Sequence, residues 1–152
     1  MRARSERDGH AVYRGRGRYA YDCDMLDHTG VAVSDFERSR AFYRTALSPI
    51  GYELLAEFPA AVTGHADVAG FGEPPKPDFW INRGTPNRPA IHIAFRVQNR
   101  AAVDAFYAAA LVAGGRSNGA PGLRPHYHAH YYGAFVLDPD DHNIEVVCHE
   151  PP

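Results

Sequence analysis

One relationship inside the chain limits its fold more than any other feature. Residues 27–47, "DHTGVAVSDFERSRAFYRTAL", align without a gap on residues 91–111, "IHIAFRVQNRAAVDAFYAAAL", at an offset of 64. His28 falls on His92, Val33 on Val97, Phe42-Tyr43 on Phe106-Tyr107, Ala46-Leu47 on Ala110-Leu111, and Gly51 on Gly115. Chance supplies one or two such coincidences, not this number in one register. The chain reads as a tandem duplication, so whatever one half forms, the other should form too.

Each half opens with a short apolar strand and continues into a helix. In the first half Ser34 and Glu37 have the spacing of a capping box, and in the second Asn99 is the expected cap. Phe36, Tyr43 and Leu47, then Val103, Phe106, Tyr107 and Leu111, recur at helical spacing. Glycines at 51, 114 and 115 end the helices. Further strands follow at 52–58, 61–71 (with its turn) and 78–83. In the second half they fall near Arg116-Ser117, at 131–138 and at 143–149. Prolines punctuate the connections. The expected fold is α+β: two tandem βαβββ modules, about 25–84 and 89–150, forming a curled mixed sheet, a cup, with helices on its outer face.

At 152 residues, one domain is expected over 25–150. Residues 1–24 carry six arginines against four acids and have no strand or helix period, so a disordered extension is expected there. The formal charge of −2 gives no basic field for nucleic acid. No apolar run approaches the ~20 residues of a membrane span. The two cysteines, Cys23 and Cys148, form no CxxC pair, and a cytoplasmic location is expected.

Nine histidines direct attention to metal and acid–base chemistry. Strand alternation puts His28, Gly30 and Ala32 on one face, with Val31 and Val33 on the other. His92 and Ala94 are set in the same way against Ile91, Ile93, Phe95 and Val97. The more apolar face should pack on the helix, leaving the histidines in the concave side. In the last strand Glu145, Val147 and His149 share that side, while Cys148 faces the helix as a buried thiol. His28, His92 and Glu145 are therefore the candidate ligands of one divalent metal ion (Fe, Mn, Ni, Co or Zn), with positions left open for a small-molecule substrate. In the first half the position equivalent to Glu145 falls at Ile81, within a residue or so. Its neighbours Trp80 and Asn82 are not usual ligands. Asp78 is the nearest acid and the candidate fourth ligand. Trp80 and Asn82 are expected to line the cup.

The stretch "DHTGVAVSD…SRAFYRTALSPIGYEL", with "IHIAF" and "FVLDPDDHNIEVV", resembles the vicinal oxygen chelate superfamily, which holds glyoxalases, bleomycin resistance proteins and extradiol dioxygenases. The resemblance covers about residues 25–149. It implies paired βαβββ modules around a divalent metal that is chelated by adjacent oxygens of the substrate, and it carries His28, His92 and Glu145 over as ligands. Bleomycin-binding members hold no metal, and the filled ligand positions argue against a purely sequestering protein. The implied activity is a glyoxalase I-like lyase or isomerase. The alternatives are a ring-cleaving extradiol-type dioxygenase, or an antibiotic-binding protein. Glyoxalase I-like members have a glutamate where Trp80 or Ile81 stands. Extradiol members have a tyrosine at Phe135 and a glycine at Asp141. A homodimer is expected, with the cup closing within one chain or across two.

The run Arg124-Pro-His-Tyr-His-Ala-His-Tyr-Tyr132 lies outside the repeated scaffold. If it were extended, its three histidines would share a face. It is expected to form the substrate wall rather than the metal site. His128 and Tyr132 are the candidate catalytic pair, as proton shuttle and oxyanion donor. Arg124, His126 and Tyr131 are candidate substrate contacts.

Overall fold

A computed structural model describes residues 26–152, so the expectation for residues 1–24 lies outside them. The duplication is borne out strand for strand. Module one runs β1 (Thr29–Val33), α1 (Phe36–Ala46), β2 (Glu53–Phe58), a short helix α2 (Ala60–Thr63), β3 (Val68–Gly72) and β4 (Phe79–Arg83). Module two runs β5 (His92–Val97), α3 (Arg100–Val112), β6 (Arg116–Leu123), β7 (Tyr132–Leu137) and β8 (Asn143–Cys148). Each module forms its own four-stranded sheet, in the orders β1-β4-β3-β2 and β5-β8-β7-β6. In both, the first and last strands pair in parallel and the rest are antiparallel.

The alternation read from sequence decides which faces are buried. Val31, Val33, Phe79 and Ile81 from one sheet, and Ile144, Val146 and Cys148 from the other, are at most 1% exposed. They join Phe42, Tyr43, Val103 and Phe106 of the helices in one core. The helix faces of the two modules meet one another, since α1 contacts α3 and α3 packs on β7. Periodicity shows that a face is buried but not what buries it, so this pairing of helical layers was not readable in advance.

A polar seam locks the modules together. The loop after β7 supplies Asp138, Asp140 and His142, all at most 7% exposed. Tyr43 of α1 donates to Asp138 at 2.6 Å. The Ser34 hydroxyl donates to Asp140 Oδ1 at 2.5 Å and its backbone N–H to Oδ2 at 3.0 Å. His142 accepts the Ile91 N–H at Nδ1, which leaves Nε2–H to donate to the Ala32 carbonyl.

This seam changes one expected cap. Ser34 is occupied by Asp140, and α1 is capped instead by Asp35, which accepts from the Arg38 N–H at 3.1 Å. Asn99 caps α3 as expected, accepting from Ala102. The segment expected as a strand from residue 61 opens instead as α2. Pro59 leads into it, Gly64 closes it at φ 80°, and Asp67 accepts the Ala60 N–H.

Candidate metal and substrate site

His28 immediately precedes β1. Its Nδ1 lies 2.8 Å from Asp27 Oδ1. A carboxylate only accepts, so Nδ1 carries the hydrogen and Nε2 of the neutral ring keeps its lone pair, the form a metal needs. Lys76 binds the other Asp27 oxygen. Lys76 first, and His28 second, hold the Asp27 carboxyl below the usual range. His28 opens onto a cavity of about 740 Å³ whose walls include Trp80, Asn82, Lys76 and His65. All its lining residues come from module one. The His65 Nδ1 donates to the Thr63 carbonyl at 3.0 Å, which leaves its Nε2 free as well.

The corresponding place in module two is built by β5 and β8. Their parallel register sets His92 opposite Asn143 and Ala94 opposite Glu145. His92 Nε2 lies 3.1 Å from Glu145 Oε2, and the glutamate side chain is 3% exposed. Two donors each about 2.1 Å from one ion, at near a right angle, are separated by about this distance. The Asn143 side-chain amide meets His92 Nδ1. The amide NH2 donates to Nδ1, and Asn143 Oδ1 accepts from the Asn118 side-chain amide at 3.1 Å, so Nε2 carries the ring hydrogen toward Glu145 and a metal bound there would displace it. These residues fit a divalent metal in donor type and spacing.

The histidine run is a turn-rich loop between β6 and β7, not an extended strand. Its Tyr131 donates to Glu145 Oε1 at 2.5 Å. Burial first, and the hydrogen bond to Glu145 next, push the Tyr131 hydroxyl well above its ordinary value, so it remains a proton donor. His128 Nδ1 accepts the His130 N–H, so His128 Nε2 carries the hydrogen and donates it to His149 Nδ1 at 2.8 Å. Both rings pack on Tyr131, at centroid distances of 5.4 and 5.2 Å. His126 stands one ring further out, against Tyr127, which itself packs on Tyr131. Phe135 is in register with Glu145, and the Arg124 guanidinium lies 5.6 Å over its ring.

Tyr132 is turned to the other face. Its hydroxyl donates to Asp104 of α3 at 2.8 Å, and Arg100 stacks on its ring. The structure thus brings His128 to Tyr131 and not to Tyr132. Asp78 accepts from Tyr52 and is not part of the His28 cavity wall. Three residues of the site are not among the candidates read from sequence. Asp27 adjoins His28 in sequence, and His149 shares the strand parity of Glu145, so both had a signal. His65 had none, because its turn follows from the unanticipated α2.

His28 and the His92–Glu145 pair stay apart. Among the described residues, no three His, Cys, Asp or Glu side chains converge into a metal-binding group. Within one chain, the candidate ligands therefore lie in two separate places, one per module.

The family model for the Glyoxalase/Bleomycin resistance protein/Dioxygenase superfamily matches residues 25–146. A glyoxalase/bleomycin resistance protein from Albidiferax ferrireducens T118 is similar at 25% identity and a TM-score of 0.66, over 84% of this chain and 99% of that one. A glyoxalase I mutant from Zea mays is similar at 23% identity and a TM-score of 0.61, over 82% of this chain and 46% of that one. The fosfomycin resistance protein of Listeria monocytogenes, complexed with Mn(II) and sulfate, is similar at 17% identity and a TM-score of 0.59, over 82% of this chain and 92% of that one. The last two likenesses bear on fold. No curated protein matches the chain. Among the described residues no helix is long and apolar enough to cross a membrane.

Proposed function

The chain belongs to the Glyoxalase/Bleomycin resistance protein/Dioxygenase superfamily, and from that membership we propose that it is a divalent-metal-dependent enzyme acting on a small substrate that chelates the metal through adjacent oxygens. The reaction class is a glyoxalase-like lyase or isomerase. His28 of one copy and His92 and Glu145 of a second copy hold the ion, so the working unit is a homodimer. The carrying observation is the 3.1 Å approach of His92 Nε2 to a buried Glu145 Oε2, with Asp27 keeping the His28 Nε2 lone pair free in the other half-site.

The bound ion supplies Lewis-acid polarisation of a substrate oxygen. The chain's own residues do the rest. Tyr131 holds Glu145 in place and keeps a phenolic proton beside the site. The His128–His149 pair next to it, hydrogen-bonded ring to ring at 2.8 Å, is the proton-shuttling group. Arg124 over Phe135 offers a cation to an anionic substrate group.

A ring-cleaving dioxygenase is the second reading, and Tyr131 is the observation in its favour. It brings a phenol to Glu145 although Phe135 stands in the strand position opposite that glutamate.

Elemental analysis of the purified protein beside His28→Ala and Glu145→Ala tests the proposal. About one equivalent of divalent metal per chain, lost in both variants, is expected. Iron would favour oxygenation, and nickel or zinc isomerisation. Metal neither present nor taken up on titration would sink the enzyme reading. Metal retained in both variants would move the ligand set to the histidine run.

A further inference from the structure

The register of the two sheets identifies the module-one counterpart of Glu145. Gly30 and Ala94 are equivalent in the repeat, since 64 residues separate them as they separate His28 from His92. Ala94 pairs with Glu145 across β5 and β8, and Gly30 pairs with Trp80 across β1 and β4. Trp80 therefore stands where a fourth metal ligand would stand, and a π surface takes the place of a carboxylate.

The surroundings are shaped to this indole. Gly70 lies opposite Trp80 in the β3–β4 register. A methyl group on Gly70 would come within 2.8 Å of Trp80 Cη2 and Cζ3, and one on Gly30 within 3.0 Å of the Trp80 carbonyl oxygen. The lack of a side chain at Gly70 lets the ring lie across the sheet, and Gly30 lets the two backbones approach closely beside it. Phe58 stacks beside it, with planes 17° apart and centroids 6.4 Å apart. The half-buried indole forms part of the wall of the 740 Å³ cavity that also holds His28. Lys76 in that wall is already paired with Asp27, so it offers little charge to an ionic substrate group.

We propose that Trp80 is the specificity-determining residue of this site, and that the substrate it selects is a planar, conjugated ring lying on the indole while its oxygens reach toward His28. This rests on the reading of His28 as part of the metal site, but the stacking itself needs no metal. Offset stacking on a fixed aromatic partner adds about tenfold in affinity over an aliphatic surface of similar area.

Trp80 is the only tryptophan in the chain, so its emission reports this one position. The full-length protein would be titrated anaerobically with catechol and with the saturated cyclohexanediol bearing adjacent hydroxyls. Each titration would be run with Mn(II) and again after chelation. Saturable quenching by catechol in both states, with cyclohexanediol at least about tenfold weaker, is expected. By calorimetry, Trp80→Leu should bind catechol about tenfold more weakly with Mn(II) affinity unchanged, and Trp80→Phe should recover most of the loss. Equal binding of the two diols would overturn the proposal while leaving the metal reading intact. So would a Trp80→Leu variant with wild-type affinity for catechol, or a Trp80→Phe variant no better than Trp80→Leu. If Mn(II) does not bind at all, the metal reading falls. The proposal then stands or falls on whether catechol alone quenches the metal-free protein.

Discussion

Tyr43 of α1 donates its hydroxyl hydrogen to Asp138 at 2.6 Å, across the boundary between the two halves of the duplication. Both residues are at most 2% exposed. Asp138 Oδ1 also accepts the backbone N–H groups of Asp140 and His142, each at 2.8 Å. Three donors thus end on one buried carboxylate. Asp138→Ala strands all three and should cost about 3 kcal/mol, whereas Tyr43→Phe removes one donor and should cost about 1–2 kcal/mol. Urea unfolding of both variants measures the difference. Equal costs would mean that the backbone donors find water and the seam is not closed.

The same carboxylate has a defined pH signature. Burial pushes the Asp138 carboxyl above its ordinary value, against the opposing hydrogen bonds. A raised acid binds its proton more tightly in the folded chain than in the unfolded one. Its contribution to stability is complete below the ordinary value of 3.8 and is withdrawn as the pH rises through the raised value. At neutral pH the buried charge is a cost. Asp138→Asn keeps an oxygen for the two backbone donors and removes that cost, so its stability relative to wild type should rise from pH 4 to pH 7. A relative stability that falls over that range would show the carboxylate to be favoured by its surroundings.

Asp141 occupies the left-handed region at φ 73° in the turn between β7 and β8. A side chain there is strained, and a glycine is not. The Arg116 ion pair that Asp141 makes is exposed on both sides and contributes little. Asp141→Gly should therefore stabilise the protein by about 0.5–1 kcal/mol, read as a rise in the urea midpoint without a change in slope. A loss of stability would show that the ion pair outweighs the strain.

The two adjacent tyrosines divide sharply. Tyr131 holds Glu145, and Tyr132 is tied to Asp104 on the opposite face. Hydrogen bonds that orient a metal ligand typically contribute about 10–100-fold in affinity. Tyr131→Phe should weaken Mn(II) binding by about tenfold or more. Tyr132→Phe should leave it at the wild-type value and cost no more than about 1 kcal/mol of stability. Calorimetric Mn(II) titration of both variants decides the matter, and the reverse ranking would restore Tyr132 to the site.

Much of this site was legible because β-strands have a strict period of two. Once His28 and His92 were matched by the repeat, parity alone put Glu145 and His149 on their side and Cys148 on the other. Counting back 64 residues from Glu145 points to Ile81, and the strand register moves the equivalence by one residue, to Trp80. A one-residue difference between the halves shifts any count made along the chain but leaves the hydrogen-bond ladder intact. Tyr131 and Tyr132 could not be told apart, because the loop before β7 has no period and the strand parity starts only at Tyr132. The helix-to-helix contact of the modules was illegible for a different reason. Two equally apolar helix faces can each meet a neighbour in the same chain or in another.

That contact leads to the most demanding prediction. With α1 against α3, His28 opens onto a cavity walled by module one alone, while His92 and Glu145 lie together in module two. In the proposed dimer, a complete ligand set takes His28 from one copy and the pair from another, and a two-fold dimer holds two such sets. His28→Ala and Glu145→Ala each spoil both sets in their own homodimer. In a mixed dimer the two defects fall in the same set, and the other set is whole. Refolding the two variants together in equal amounts gives about half mixed dimers, so about a quarter of wild-type Mn(II) capacity should return. Each variant refolded alone should bind none. Recovery near a quarter cannot arise if the ligands come from one chain, since no chain in the mixture carries all three. No recovery from a mixture shown by mass to contain mixed dimers would put the whole site back within a single chain.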